Sequence, residues 1–541
     1  MIFCFHYKWI TMATKSLCFT LGCQSLAFLL LVLLVFSRAP PGTDGGHILV
    51  FPVDGSHWIN MKVLLEELHL RGHRLTVIRA SNSVYVPRNS SLYAAVTVDV
   101  AGEWEEFFEF LQDLIKGLRK GRTMHREFTN MIYEAHSVWG ASLSAFLENR
   151  EMVQSLRDSH FDMVLTDPAI PIGVVLAKFL DLPLVLNVRW IHGGEGHFAM
   201  APSPLSYVPV PGSGLTDKMD FFQRVKNVFF YALVILQQRI LIEPIYSALC
   251  RKHIHGGCDI NSLLQQADIW LFRTDFVFDF PRPTMPNVIY IGGFQCRAAR
   301  PLPGHLEDFV QTAGEHGVVV MSLGTLVDAM PESDAKEIAA VFARLPQKVI
   351  WRYKGPRPST LGNNTMMVDW MPQKDLLGHP QTKVFVAHGG TNGLQEAIFY
   401  GVPVLGIPLF FDQFDNLVRL EHRGAAKIVD LVDLTRDFEA GLNEVLSQDS
   451  YRRNMRRLSD LHRDQPMTAM DRAIFWVEYV MRHKGAPHLR TGAYEMPWYA
   501  YYGVDVAVLL LAIGAVLSLA AVALVRFLCC KTPRKNKTKQ Q

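Results

Sequence analysis

Cysteine is scarce in this chain, and the few cysteines are far apart. The 541 residues include 8 cysteines, and only Cys250, Cys258 and Cys296 lie between the apolar runs near the two ends. This low density excludes a small scaffold held together by disulfides. Cys250 and Cys258 could pair with each other, and three buried thiols are an equally good interpretation.

An excess of charge of one sign is also lacking. Lysine plus arginine number 54 and aspartate plus glutamate 51, so the formal net charge at pH 7 is only +3. No basic patch with interleaved aromatic residues stands out, and nucleic acid is therefore not expected as a partner. Internal repeats and low-complexity tracts are absent from the sequence. The length is sufficient for two ordinary domains with additional segments.

Apolar runs mark the two ends of the chain. Residues 26–36 are too short to span a bilayer, and they predict that residues 1–42 are a signal peptide. Residues 506–525 carry no charge and predict a transmembrane helix. The tail at 526–541 holds six basic residues and no acid, which places it in the cytosol and the larger part of the chain in the lumen.

Short signals in the sequence suggest a membrane compartment. Lys537 and Lys539 have the spacing of a dilysine retrieval signal, and a plain basic tail is the alternative. Asn89 and Asn363 begin sequons for lumenal glycosylation. We therefore expect a single-pass type I protein of the endoplasmic reticulum membrane, with its large domains in the lumen.

Strand and helix patterns alternate along the lumenal part. The runs HILVFPV and HRLTVIRA flank a helical pattern, and this βαβ unit implies a parallel sheet. Proline and glycine cluster around the expected linker. The expected ranges are a first domain at 45–285, a linker at 286–314, a second domain at 315–455, and helices at 456–500 that pack back on the first domain. Two doubly wound halves facing each other leave a cleft at the carboxyl ends of their strands, where ligands bind.

Residues 370–413 carry the strongest functional signal. Two buried strand patterns, KVFVAH and VPVLGIP, enclose HGGTNGLQEAIFYG, a glycine-rich turn that opens a helix. Backbone N–H groups and the helix dipole at such a turn attract phosphate. The residues predicted to bind a nucleotide sugar are Trp370 for the base, Gln373 and Glu396 for the ribose, His388, Gly390 and Asn392 at the phosphate turn, and Asp412 and Gln413 for sugar hydroxyls.

This segment resembles, over its whole length, the signature of the UDP-glycosyltransferases. The runs FRTDFVFDFPRPTMPNVIYIGG and LGNNT resemble the UDP-glucuronosyltransferase branch of that family. The resemblance implies a GT-B fold with an N-terminal acceptor domain, a C-terminal UDP-sugar domain and no metal or other cofactor, with UDP-glucuronic acid as a co-substrate. The sequence also lacks the D-x-D motif with which metal-dependent transferases hold a diphosphate.

The resemblance also assigns roles to individual residues. His57 in DGSHW matches the family's catalytic base, and Asp167 in VLTDP matches the acid that orients it. Arg273 in WLFRTDF matches an arginine of the glucuronosyltransferases, whose fork suits the carboxylate of glucuronic acid. A salt bridge from this arginine to Asp275 or another acid is the alternative. Three further residues, weaker matches to family positions near the phosphates, are Ser322, Thr325 and Arg352.

The resemblance therefore implies inverting transfer of glucuronic acid to a hydroxyl of a small lipophilic acceptor. Residues 100–149 and 190–211 are expected to line the acceptor pocket. One alternative is a UDP-glucose or UDP-galactose transferase that acts on lipids. Another is a catalytically inactive lumenal binding protein, whose hallmark would be the loss of His57, Asp167 or His388, all of which are present. The sequence leaves open whether the chain forms homo- or hetero-oligomers.

Overall fold

The computed structural model describes residues 45–530, apart from 103, 123, 190–194 and 328. The predicted signal peptide and the two lysines of the dilysine spacing, Lys537 and Lys539, lie outside the described residues.

The first domain is built on a seven-stranded parallel sheet. Its strands are β1 (His47–Phe51), β2 (Arg74–Ala80), β3 (Ala94–Val98), β4 (Met163–Thr166), β5 (Leu184–Val188), β6 (Ile269–Phe272) and β7 (Val288–Tyr290). They lie in the order β3-β2-β1-β4-β5-β6-β7. The central strands are apolar runs that are buried throughout, as in LVLNV of β5, because helices cover both faces of the sheet.

Helices connect these strands and enclose two apolar cores, one on each face of the sheet. They are α1 (Ser56–Leu70), α2 (Trp104–Arg119), α3 (His125–Glu148), α4 (Arg150–Asp158), α5 (Ile172–Leu180), α6 (Glu195–Phe198), α7 (Phe221–Gln237), α8 (Glu243–His253) and α9 (Ile260–Gln265), with a π-helical turn at Gln238–Ile242 between α7 and α8. Cys250 and Cys258 form a disulfide that joins α8 to the loop before α9.

The last strand of the first sheet lies inside the range predicted as a linker. Strand β7 pairs with β6 in parallel, from Val288 to Tyr290. The linker prediction at 286–314 therefore begins too early. It also includes the helix Gly304–Gln311, whose Leu306 and Val310 belong to the apolar cluster around Val320. The strand is short and flanked by proline and glycine, so its apolar residues gave too weak a strand pattern.

The second domain has a six-stranded parallel sheet in the order β10-β9-β8-β11-β12-β13. Its strands are β8 (Val318–Ser322), β9 (Lys348–Arg352), β10 (Thr365–Val368), β11 (Thr382–Ala387), β12 (Val404–Gly406) and β13 (Ala426–Ile428). Its helices are α10 (Gly304–Gln311), α11 (Glu332–Arg344), α12 (Gln373–Leu377), α13 (Thr391–Tyr400), α14 (Gln413–His422), α15 (Leu434–Ser447) and α16 (Asp449–Arg463). The prediction of two doubly wound α/β halves is confirmed.

The chain returns to the first domain after α16. Helix α17 (Ala469–His483) buries an apolar stripe, including Ile474 and Val477, in the same core cluster as α1. Two short 3-10 turns, Pro487–Leu489 and Gly492–Glu495, and helix α18 (Trp498–Tyr501) lead into α19 (Val504–Cys530). Because α19 is apolar on all sides and fully exposed, it is a candidate membrane span.

Candidate functional site

The two sheets face a common cavity of about 1080 Å³. Its walls are formed by residues at or after the carboxyl ends of strands in both domains, among them His57, Arg189, Ser322 and His388. Direct contacts cross the cleft, since the hydroxyl of Tyr85 donates to the carbonyl of Thr325 at 3.1 Å. A ligand in this cavity would therefore touch both domains.

Asp167 is the hydrogen-bonded centre of the first-domain wall. Its Oδ2 accepts from Nδ1 of His57 at 2.7 Å and from Nη2 of Arg273 at 2.6 Å. Its Oδ1 accepts from the N–H of Ala169 at 3.0 Å, and the side chain is 1% exposed. Burial opposes ionisation, but the interactions with His57 and Arg273 outweigh it and hold the pKa of Asp167 below its usual value.

These contacts fix the proton on the His57 ring. An ionised carboxylate only accepts, so Nδ1 of His57 donates to Asp167, and in the neutral ring the lone pair lies on Nε2. Burial lowers the pKa of His57, with the charges of Arg189 and Arg273 acting in the same direction and Asp167 opposing them. The ring lines the cavity as a neutral imidazole, which is the form required of a general base.

The predicted contact of Arg273 with a sugar carboxylate is wrong. Its side chain is 3% exposed and lies beneath α1, outside the cavity wall. Nη1 donates to Oδ1 of Asn60 at 2.8 Å, while Nη2 binds Asp167 and the carbonyl of Asn187. Burial lowers the pKa of Arg273 to about 10, so the guanidinium stays charged at neutral pH and neutralises Asp167.

The alternative partner for this arginine, Asp275, is also engaged elsewhere. Its carboxylate contacts Nδ1 of His462 on α16. Arg273 therefore pairs with an acid other than Asp275, namely Asp167, which also accepts from His57.

On the second-domain wall, two glycines enclose the ring of His388. A Cβ on Gly324, whose φ is +85°, would lie 2.7 Å from that ring, and one on Gly390 would lie 2.5 Å from its Nε2. Burial lowers the pKa of His388 to about 4, so the ring is neutral and can meet a phosphate only through hydrogen bonds. Its Nδ1 is buried without a hydrogen-bond partner among the described residues.

Helix α13 begins beside His388, and no side chain of the described residues caps it. Its first N–H groups are therefore available to an anion, and the ten-residue helix adds its dipole. The side chain of Asn392 in this first turn donates to the carbonyl of Ser56 at 3.2 Å. The phosphate turn is thus in direct contact with the residue that precedes His57.

The predicted ribose partners lie together on the second-domain wall. Nε2 of Gln373 donates to Oε2 of Glu396 at 2.7 Å, and burial raises the pKa of Glu396 to about 7. Trp370 is 62% exposed at the cavity, with the guanidinium of Arg352 5.3 Å from its ring centroid. An exposed aromatic face and a carboxyl group on one wall suit a base and its ribose.

The remaining residues that were predicted to bind the UDP-sugar also line the cavity. Oδ2 of Asp412 accepts from Thr391 at 2.9 Å and from Asn416 at 2.7 Å. The amide oxygen of Gln413 accepts from two N–H groups of the turn before it, so only its NH₂ group is available to a ligand. The Oγ1 of Thr325 is buried without a partner among the described residues. The other phosphate-side residues at the cavity are Ser322, whose Oγ accepts from Gly324, and Arg352, which donates to the carbonyl of Gly324.

One side of the cavity, where an acceptor is expected, is formed by α2 and α3. Residues of the predicted range 100–149 line it, and the acids Glu106, Glu127 and Glu134 occur there together with large apolar side chains, which include Trp104, Phe107, Phe110, Met131 and Trp139. The other predicted range, 190–211, does not contribute to the wall in its described part, and residues 190–194 lie outside the described residues.

Sequence reasoning missed two residues of the first-domain wall. Arg189 directly follows β5, and its Nη1 donates to Oγ of Ser56 at 2.5 Å. A charged residue directly after a fully buried strand was the signal for Arg189. Ser56 offered no signal apart from its position next to His57.

Sequence comparison matches nearly the whole chain to known proteins. The model of a family described as UDP-glucoronosyl and UDP-glucosyl transferase matches residues 46–539. UDP-glucuronosyltransferase 1-2 of Mus musculus is 41% identical over 503 residues, which cover 92% of this chain and 93% of that protein. UDP-glucuronosyltransferase 1A1 of Homo sapiens is 40% identical over 521 residues, covering 93% and 94%.

Solved glycosyltransferase structures share the fold. The glycotransferase of kitacinnamycin superposes with a TM-score of 0.56 at 19% identity, covering 81% of this chain and 99% of that one. The calicheamicin glycosyltransferase CalG4 gives a TM-score of 0.54 at 17% identity, with the same coverage. These likenesses confirm the GT-B architecture predicted from the sequence.

Proposed function

The chain belongs to the UDP-glucoronosyl and UDP-glucosyl transferase family, and from that membership we propose that it transfers glucuronic acid from UDP-glucuronic acid to a hydroxyl of a small lipophilic acceptor. One observation carries this proposal. Nε2 of His57 and the uncapped start of α13 belong to opposite walls of one cavity. In a displacement at the anomeric carbon of the sugar, the base would activate the attacking hydroxyl. The anion site would bind the diphosphate that leaves.

In the proposed reaction, His57 acts as the general base. Its Nε2 takes the proton of the acceptor hydroxyl, and the oxygen attacks the anomeric carbon of the donor. The bond from that carbon to the diphosphate breaks, and UDP leaves with the electron pair toward the N–H groups of α13. Asp167 holds the ring and stabilises the imidazolium that forms. Because attack and departure occur on opposite faces, the α-linked donor gives a β-linked product.

The donor sugar is proposed from the curated relatives, whose names describe glucuronosyltransferases. The acceptor class is proposed from the aromatic wall formed by α2 and α3. The test is a panel of phenols and steroids assayed with UDP-glucuronic acid, UDP-glucose and UDP-galactose on the membrane-bound protein. We expect β-glucuronides together with free UDP. A preference for a neutral donor with lipid acceptors would favour the alternative transferase, and no turnover by folded protein would favour a binding protein.

Donor affinity is expected to depend on pH through Glu396. Ribose hydroxyls would donate to the ionised carboxylate, whereas burial raises the pKa of Glu396 to about 7 in the free protein. Binding therefore favours deprotonation, and the affinity for UDP should rise with pH until the group is ionised, with about tenfold weaker binding per pH unit below 7. Calorimetric titration with UDP from pH 5.5 to 8 measures this slope.

The matched variant for this measurement is Glu396→Gln, which keeps the contact with Gln373 but cannot titrate. It should bind UDP more weakly at pH 8 and show no slope with pH. A slope that persists in this variant would assign the titration to another group.

We also propose that α19 anchors the protein as a single-pass type I membrane protein of the endoplasmic reticulum, with both sheets in the lumen. The segment Phe221–His253 is a second helical stretch long and apolar enough to span a membrane. Its second half, however, packs into the first-domain core through Tyr246 and Leu249, so it cannot leave that domain. We therefore expect α7 to lie along the membrane surface.

The placement of α7 beside the anchor supports this expectation. Phe222 and Phe229 on α7 are 79% and 64% exposed, and Tyr231 lies close enough to Tyr502, just before α19, for an electrostatic interaction. A chain that ends before Val504 should therefore still bind phosphatidylcholine vesicles. Replacing both phenylalanines by serine should weaken that binding at least about tenfold, as measured by vesicle flotation.

Leu70, which is 79% exposed at the end of α1, provides the control for this measurement. Leu70→Ser should leave flotation unchanged. Equal binding by the double phenylalanine variant would remove α7 from the membrane contact.

A further inference from the structure

The burial of Arg273 leaves the carboxylate of the proposed donor without its expected cation. Arginine and lysine side chains at the cavity wall, within the described residues, are those of Arg189, Arg297, Arg352 and Lys374. Only Arg189 among them belongs to the first domain, on the same wall as His57. The sugar must lie between His57 and the phosphate turn, so a cation near both is the one that would meet it.

The contacts of Arg189 place it between those two points. Its Nη1 donates to Oγ of Ser56, and the carbonyl of Ser56 accepts from Asn392 in the first turn of α13. Ser56 therefore connects the guanidinium to the phosphate turn and is also the residue next to His57. Burial is the main cause of the lowered pKa at both His57 and His388, and the charge of Arg189 contributes at both.

One edge of this guanidinium is not engaged by the protein. Among the described residues, Nε of Arg189 is buried without a hydrogen-bond partner, and none of their carboxylates contacts Arg189. Because Nη1 is bound to Ser56, the edge formed by Nε and Nη2 remains for a ligand. That edge presents two parallel N–H groups, the geometry that binds both oxygens of a carboxylate.

The other cations at the wall are less suited to the sugar. Arg297 donates to Asp375 at 2.9 Å and is neutralised by it. Arg352 stacks on Trp370 and donates to the carbonyl of Gly324, so it lies on the base and phosphate side. Lys374 donates to the carbonyl of Gln295 and interacts with Glu396, on the ribose side.

We propose that Arg189, positioned by Ser56, binds the C6 carboxylate of the donor sugar and selects a uronic acid over a neutral hexose. This assignment rests on the proposed glucuronosyl transfer. It makes Arg189 a specificity residue, and it gives the hydroxyl of Ser56 a positioning role in place of any nucleophilic one.

The test compares two sugar donors in an assay with a single acceptor. For wild type and Arg189→Gln, kcat/KM is measured with UDP-glucuronic acid and UDP-glucose, and UDP affinity is measured by calorimetry. In the variant, the kcat/KM for UDP-glucuronic acid divided by that for UDP-glucose should fall about 10- to 100-fold, the size of a charge-assisted contact. Its affinity for UDP should be unchanged. Ser56→Ala should shift the ratio in the same direction by a smaller factor.

Other outcomes would overturn the proposal in distinguishable ways. If Arg189→Gln lowers kcat/KM equally with both donors and weakens UDP binding, the residue binds the diphosphate. If the ratio does not move in a variant that still binds UDP, Arg189 does not contact the sugar acid. A wild-type preference for UDP-glucose would refute the glucuronosyl transfer itself. Arg297→Gln, which removes a paired charge elsewhere in the same cavity, should leave the ratio of the two kcat/KM values unchanged.

Discussion

Replacing His57 by alanine is expected to lower kcat by about 10²- to 10⁴-fold, the usual contribution of a positioned general base. The ring is held through Nδ1 by Asp167 at 2.7 Å, and no other described side chain hydrogen-bonds to its Nε2. Donor binding should survive, because UDP is proposed to bind the opposite wall. The measurements are initial rates with saturating UDP-glucuronic acid and calorimetric affinity for UDP.

The pH profile of the wild-type enzyme provides a second check on His57. The neutral ring is the active form, and burial lowers its pKa below the ordinary value of about 6.5. With saturating donor, kcat should therefore be sustained at pH 6.5 and fall only as the pH drops through that lowered pKa. The control is His69→Ala. His69 is an exposed histidine on the same helix, and its replacement should keep full activity.

A loss of less than tenfold in His57→Ala would exclude the general-base role.

Replacing Arg273 by methionine is expected to destabilise the first domain and to inactivate the enzyme with every donor. The substitution leaves Asp167, 1% exposed, without its buried cation. Losing one partner of a buried ion pair costs about 3–5 kcal/mol, which corresponds to a fall in apparent Tm of roughly 6–20 °C for a domain of this size. Thermal unfolding of the detergent-solubilised protein measures this shift.

The ratio of kcat/KM for UDP-glucuronic acid to that for UDP-glucose separates two roles of Arg273, support of Asp167 and binding of the sugar carboxylate. A residue that supports Asp167 affects UDP-glucuronic acid and UDP-glucose alike, whereas a residue that binds the sugar acid affects the first donor more. We expect an unchanged ratio in any folded Arg273 variant with measurable activity. Arg357→Met, at an exposed arginine, controls for loss of charge and should leave the apparent Tm unchanged. A stable Arg273→Met protein with altered donor preference would restore the assignment made from sequence.

The two arginines show where sequence reasoning stops. Arg273 and Arg189 both directly follow buried strands of one sheet, β6 and β5, so local pattern alone treats them alike. In the structure Arg273 is directed beneath α1 toward Asp167, while Arg189 lines the cavity beside Ser56. The partner that neutralises Arg273 lies 106 residues away in the sequence, and only the packed sheet brings the two together.

The two segments predicted to line an acceptor pocket show the same limit of sequence reasoning. Residues 100–149 do line the cavity, from α2 and α3. The described part of 190–211, which is equally apolar, lies away from the cavity. Composition indicates that a segment will be buried, and it does not indicate which surface will cover it.

The sequence by itself determined the two parallel α/β halves, the C-terminal apolar helix, the family, and the glycine-rich turn and helix start from His388 to Glu396. These follow from patterns within a single βα unit, where strand, turn and helix are neighbours in the chain. Only the tertiary structure decided which arginine supports Asp167 and which lines the cavity, because a buried charge is directed by partners that come from distant strands. It also decided that His57 and the phosphate turn belong to opposite walls of one cavity, since that arrangement requires both sheets to be folded and in contact.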